Sequence, residues 1–221
     1  MEVLITIDSI HIGQPQTITD ESGTWRSSIF RQPVTGPIEL GERGLAGDQV
    51  TDTEHHGSPD QAVCCHPLDH YDYWNDFYGL KGTDRALGAG GVGENWTLFA
   101  ADEAQICVGD VYRVGSARVQ VSGPRVPCSK QERKLQLPDF GKRTRDTLRT
   151  GFYLRVLTPG TVQVGDAWWL EDHPRPGLTL RVLNFCVYHQ FDPVLAHRLV
   201  DAPELAESWR RLFRRKLAGA T

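Results

Sequence analysis

Short runs of alternating apolar and polar residues, separated by Gly, Pro and Asp, dominate the first three quarters of the chain, and this period of two predicts β-strands. The runs are 3–12, 27–30, 105–108, 111–114, 117–122, 152–157 and 167–170. Strands this short, with turn residues between them, predict a mostly antiparallel barrel or sandwich. Gly47-Asp48, Gly109-Asp110 and Gly165-Asp166 fall where strands need tight turns, because Gly accepts positive φ and Asp bonds to nearby backbone. The period changes to that of a helix over 67–78, which opens with Pro67, places Tyr71, Trp74 and Tyr78 on one face and stops at Gly79. That aromatic stripe reads as core packing.

After Pro176 the pattern turns helical. Asp192-Pro193 is a cap followed by a favourable first residue, and Asp201 with Glu204 has capping-box spacing. The terminal helix is expected to bury Leu205, Trp209, Leu212, Phe213 and Leu217, either on the barrel or on a second subunit. Arg210, Arg211, Arg214, Arg215 and Lys216 suit a solvated helix face near a C-terminus. The expected organisation is a β domain over 1–172 and a small helical domain over 173–221.

Composition narrows the classes. The 221 residues are 39% hydrophobic and 24% charged with a net charge of −4, which fits a globular chain and argues against a dedicated binder of nucleic-acid polymers. No run approaches the roughly 20 apolar residues of a membrane span. Five cysteines, at 64, 65, 107, 128 and 186, form an odd set with no secretory leader, so a reducing cytoplasm is expected.

Cys128 carries the main chemical candidate. It lies between Pro124, Pro127 and the cations Arg125 and Lys130, in a stiff loop whose positive charge favours a thiolate able to attack an electrophile or bind a soft metal. A buried cysteine acting as a small hydrophobe is the alternative. The other four lack such surroundings and read as packing. Gly88-Ala-Gly-Gly-Val-Gly93 fits G-x-G-x-x-G in form, but a strand-like 94–98 follows instead of a helix, so no dinucleotide site is expected. His55, His56, His66 and His70 flank Cys64-Cys65 and contain enough donors for zinc; the disfavouring points are the missing C-x-x-C and H-E-x-x-H spacings.

Seven motifs in order give the chain a resemblance. They are Gly44-Leu-Ala-Gly-Asp48, His55-His-Gly-Ser-Pro-Asp-Gln-Ala-Val63, the helix from His66 to Trp74, Val92-Gly-Glu-Asn95, Val108-Gly-Asp-Val-Tyr112, Gly123-Pro-Arg-Val-Pro-Cys-Ser-Lys130 and Thr150-Gly-Phe-Tyr-Leu-Arg155. Together they resemble MOSC-domain proteins, and most closely the YiiM-like branch associated with 6-N-hydroxylaminopurine resistance, whose three-helix C-terminal domain corresponds to 179–218. The resemblance implies a β-barrel that binds the molybdenum cofactor, with Cys128 as the metal's thiolate ligand. Arg31, Arg125, Lys130, Arg149 and Arg155 are then candidates for the cofactor phosphate, Asn95 either orients cofactor or substrate or ties a loop, and His56 delivers a proton. Two positions depart from the pattern: Arg31 stands where relatives often carry Lys, and Ser58 replaces a glycine.

The activity implied is reduction of an N-hydroxylated base or related compound to its amine. No iron-sulfur cysteine set and no flavin or nicotinamide fingerprint is present, so a separate reductase, such as a flavoprotein, is expected to supply electrons. Two rivals belong to other classes: a carrier of cofactor or sulfur without turnover, and a hydrolase with Cys128 as nucleophile and His56 as base. The sequence leaves the oligomeric state open.

Overall fold

The computed structural model describes residues 4–21, 23–52 and 57–219. Among the described residues, thirteen strands and six α-helices follow in chain order. The first strands are β1 (Thr6–Ile12), the hairpin β2 (Gln16–Asp20) and β3 (Gly23–Ser27), β4 (Gln32–Pro33), β5 (Ile38–Gly41) and β6 (Gly44–Leu45). Next come β7 (Val63–Pro67), helix α1 (Asp69–Phe77), β8 (Trp96–Phe99), β9 (Val111–Val114) and β10 (Ala117–Pro124). Two short helices, α2 (Ser129–Leu135) and α3 (Phe140–Thr147), precede β11 (Phe152–Thr158), β12 (Gly160–Val162) and β13 (Trp168–Asp172). The chain ends in α4 (Leu180–Tyr188), α5 (Pro193–Val200) and α6 (Glu207–Leu217).

Eight strands form one sheet in the order β13-β9-β10-β11-β7-β8-β1-β4. All its pairs are antiparallel except β7 with β8, which the α1 crossover joins in parallel. The sheet curls back on itself, since the backbone amide of Ile7 donates to Asp166 and that of Trp168 donates to Ile5, joining β1 to the segment entering β13. A barrel-like wall results. Inside it Trp96, Phe152 and Trp168 pack edge to face around Val63, Leu98, Val119 and Leu154.

The same core continues into the C-terminal helices through Leu183, Leu199, Leu205, Trp209 and Phe213. Trp209 lies over β10 and donates from Nε1 to the Pro124 carbonyl at 3.0 Å, so the apolar face of α6 closes on the barrel. A second cluster, built on Tyr71, Trp74, Val92 and Phe140, fixes α1 against α2 and α3. The expected aromatic stripe therefore packs as core, although Tyr78 is only partly buried and bonds to Asp139 at 3.0 Å.

Four local expectations are corrected. Residues 27–30 do not form a strand: Ser27 ends β3, and its hydroxyl accepts from the Ile29 amide, turning the chain. Residues 105–108 form a turn with a single bridge between Cys107 and Thr179, because the Asp102 carbonyl captures the amides of Gln105 and Ile106. Pro67 ends β7 instead of opening α1. Asp201 and Glu204 make no capping box: Asp201 closes α5, Glu204 pairs with Arg175 at 3.0 Å, and α6 begins after Ala206. By contrast, Asp192 caps α5 through the amides of Val194 and Leu195, with Pro193 in the first turn.

Candidate functional site

The three Gly-Asp pairs behave as turns, each glycine having φ between +82° and +89°. Asp48 also reaches further. Its carboxylate accepts from the Gly13 amide at 2.7 Å, from Arg31 Nε at 3.1 Å and Nη2 at 3.0 Å, and from Asn95 Nδ2 at 3.0 Å. Arg31 in turn donates from Nη1 to the Gly93 carbonyl at 2.7 Å. Gly93 is required there: φ is +77° and a Cβ would sit 2.3 Å from Ile29. Asn95 is equally committed, accepting from the Cys64 amide and donating to the His11 carbonyl. Of its two expected readings, the observed bonds are those of a residue that ties loops together.

Opposite this lattice, β10 delivers the second wall. Its register slips between Val121 and Gly123, where φ is +146° and Trp209 lies against the backbone, and the strand then feeds Pro124, Arg125 and the loop to Cys128. Cys128 is half-buried and stands as the N-cap of α2, with its amide donating to Gln131 Oε1 at 3.2 Å. Arg125 is 5% exposed and donates from Nη2 to the Val92 carbonyl at 3.0 Å. Its Nε and Nη1 have no hydrogen-bond partner among the described residues.

Between these walls lies a cleft of about 840 Å³, counting the part open to solvent. Arg31, Asn95, Arg125, Cys128 and Lys130 all line it, so five of the sequence-predicted residues converge. Arg149 and Arg155 are placed elsewhere. Arg149 lies 3.9 Å over the Tyr73 ring, while Arg155 pairs with Asp60 at 2.8 Å and with Gln120 at 3.0 Å. His56 falls outside the described residues.

Cleft residues that escaped the sequence reading include Cys64, Tyr153 and Arg43. Cys64 and Cys65 point to opposite faces of β7, one lining the cleft and the other in the core. Burial pushes the Cys64 thiol up, with Arg125 and Arg31 working in the opposite direction, and burial likewise raises the Tyr153 phenol. The alternation along β7 was the available signal for Cys64, since one of two vicinal strand residues had to face away from the core.

The glycine loop 88–93 has a different use from phosphate binding. It is tied down by fully buried Glu94, whose Oε1 accepts from Gly90, Tyr71 and Thr97. His66 and His70 meet edge to face at 4.9 Å, and His70 faces Glu103 at 3.2 Å. Among the described residues they belong to no group of three metal donors.

Donor chemistry at the cleft suits an anionic ligand with a soft metal. Leaving two guanidinium donors buried without partners is costly, and an anion removes that cost. A half-buried thiol beside them offers sulfur to a metal. The cleft residues thus fit a phosphate-bearing metal cofactor.

Comparison with known proteins gives two matched regions: a MOSC domain over residues 52–168 and a YiiM-like, 3-alpha helix domain over residues 189–220. The Bacillus subtilis protein YflK, itself uncharacterized, is 34% identical over 94% of this chain and 92% of its own length. The crystal structure of YiiM from Geobacillus stearothermophilus superposes with a TM-score of 0.81 at 36% identity, covering 96% of this chain and 99% of that one. A Gibberella moniliformis protein named "Reductase" is 32% identical over 70% of this chain, which corresponds to 27% of that longer protein. No helix among the described residues is long and apolar enough to cross a membrane.

Proposed function

Since this chain belongs to the MOSC family and carries a YiiM-like 3-alpha helix domain, we propose that it is a molybdenum-cofactor-dependent reductase of small N-hydroxylated compounds, N-hydroxylated bases among them. The observation that carries this reading is buried Arg125, with two donor atoms that have no partner among the described residues, on the wall of a cleft that also presents Cys128. When bound, the cofactor supplies the two-electron chemistry that converts N–OH to N–H. The overall change takes up two electrons and two protons and releases water.

In this reading each residue has a definite task. Cys128 ligates the metal, and Arg125, Lys130 and Arg43 hold the phosphate. Arg31 is a fixed wall, because Asp48 and Gly93 already engage its guanidinium. His56 delivers a proton on the strength of its motif. Electrons come from a separate redox partner, a flavoprotein by chemistry. The relative named "Reductase" supports a reducing activity, not the identity of the donor.

The test compares protein from a host that makes the cofactor with protein from one that does not. Near-stoichiometric molybdenum is expected in the wild type, and its loss is expected in Cys128→Ala with circular dichroism unchanged. Reduction of an N-hydroxylated purine with an artificial electron donor should follow the molybdenum content. Full metal content in Cys128→Ala would overturn the ligand assignment. Molybdenum without reduction would favour a carrier, and turnover without metal, blocked by alkylation of Cys128, would favour a hydrolase.

A further inference from the structure

At the junction of the barrel and the helical region, three metal-donor side chains converge away from the cleft. Cys107 and Asp110 flank the Val108-Gly109 turn before β9, and His173 follows β13. One donor atom from each lies within 4.8 Å of the other two. We propose that Cys107, Asp110 and His173 form a second site, for a zinc-class divalent ion, which clips the turn before β9 to the segment leading into α4.

Ligand chemistry and charge favour such an ion. Thiolate, imidazole and carboxylate are the donors zinc takes, and a tetrahedral ion spaces its ligand atoms by about 3.5 Å. Cys107 and Asp110 are 2% and 1% exposed, so a dication between thiolate and carboxylate leaves no net charge in a buried place. The surroundings already orient both donors. Asp110 Oδ2 accepts from the Cys107 amide at 2.8 Å and from the Tyr112 hydroxyl at 3.3 Å, which leaves Oδ1 facing His173. The Cys107 sulfur is held in place by its contact to the Gln105 carbonyl at 3.8 Å. Such outer contacts set ligand direction in metal sites.

The remaining adjustment is small. His173 Nδ1 and Asp110 Oδ1 are 2.6 Å apart and hydrogen-bonded; on binding, the ring takes the tautomer with its hydrogen on Nε2, the thiol proton leaves to solvent, and the pair opens by about 1 Å around the ion. His173 makes that movement, because its side chain is 40% exposed and leaves a fourth position to solvent. The clip is placed where the two parts of the chain already touch: the Val108 amide donates to Leu178, and the Leu180 amide donates to Ile106.

The experiment strips the full chain with a chelator and titrates it with zinc chloride, and separately with cobalt(II) as a spectroscopic probe. One zinc per chain is expected, raising Tm by about 5–10 °C at about a hundred times its Kd. Cobalt should show a sulfur-to-metal charge-transfer band. Cys107→Ser should abolish that band, and His173→Ala, a solvent-facing change compatible with folding, should weaken zinc binding by at least about 100-fold. Cys128→Ala should leave both readouts intact, which separates this site from the cleft. Zinc binding that survives both Cys107→Ser and His173→Ala, binding that disappears in Cys128→Ala, or no rise in Tm would each overturn the assignment.

Discussion

Arg31 and Arg125 bring the same charge to one cleft under opposite conditions. Arg31 is neutralised by Asp48 and already donates three times, whereas Arg125 is buried with two donor atoms that have no partner among the described residues. Arg125→Met is therefore expected to cut the molybdenum content of cofactor-competent protein by at least about tenfold, measured by elemental analysis. Arg31 acts through stability instead. Asp48→Ala strands it in a partly buried place and should cost about 3 kcal/mol in urea denaturation. His66 sets a pH dependence: both ring nitrogens are buried without partners among the described residues, and burial holds its pKa well below 6.5. As pH falls below 6.5 the unfolded chain takes up a proton that the folded one refuses, so stability is lost toward acid. Between pH 7 and pH 5, His66→Gln should lose about 1–2 kcal/mol less than the wild type, measured by urea denaturation at both pH values. At this scale Cys128, Arg125 and Lys130 were legible in the sequence because their neighbours along the chain define their chemistry. Tyr153 was not, since its neighbours in the cleft come from other strands, and for Cys64 the alternation along β7 was the one local signal.

Among the elements, β10 does most to shape the site. Its slip at Gly123 turns the strand exit toward Cys128 while Trp209 presses on the backbone, and an added Cβ would lie 2.9 Å from that ring. Gly123→Ala should destabilise the protein by about 2 kcal/mol or more in thermal or chemical denaturation, and should weaken cofactor retention by shifting 124–128. A simpler element obeys local rules: Asp192→Ala removes two bonds to the start of α5 and should cost about 1 kcal/mol. Where local chemistry was sufficient, as at Asp192 and in β9, the sequence was readable. It misled at 105–108 and at Asp201 with Glu204. In the first case Asp102 captured the backbone, and in the second Glu204 found Arg175 across the fold.

Over the whole molecule, one continuous core joins the curled sheet to α4, α5 and α6, so the helices brace the wall that carries Arg125 and Cys128. Direct contacts reinforce this wall: the Ala206 amide donates to Ser122, Trp209 donates to Pro124, and Asn184 donates to Thr150 beside the Gly151 carbonyl that receives the Arg125 amide. The terminal helix was legible as amphipathic, but whether its aromatics meet the barrel or another subunit depends on the surface opposite, which no local pattern contains. The sequence by itself determined the strand-rich class, the helical ending, the Gly-Asp turns and the stiff cysteine loop, because periodicity, φ preferences and charge are properties of neighbouring residues. Only the tertiary structure decided that Arg31 is consumed by Asp48, that Arg149 and Arg155 stand away from the cleft, and that Cys107 and Asp110 meet His173. Those outcomes depend on which side chains the curl of the sheet brings within hydrogen-bonding distance, and the competition is settled between residues far apart in the chain.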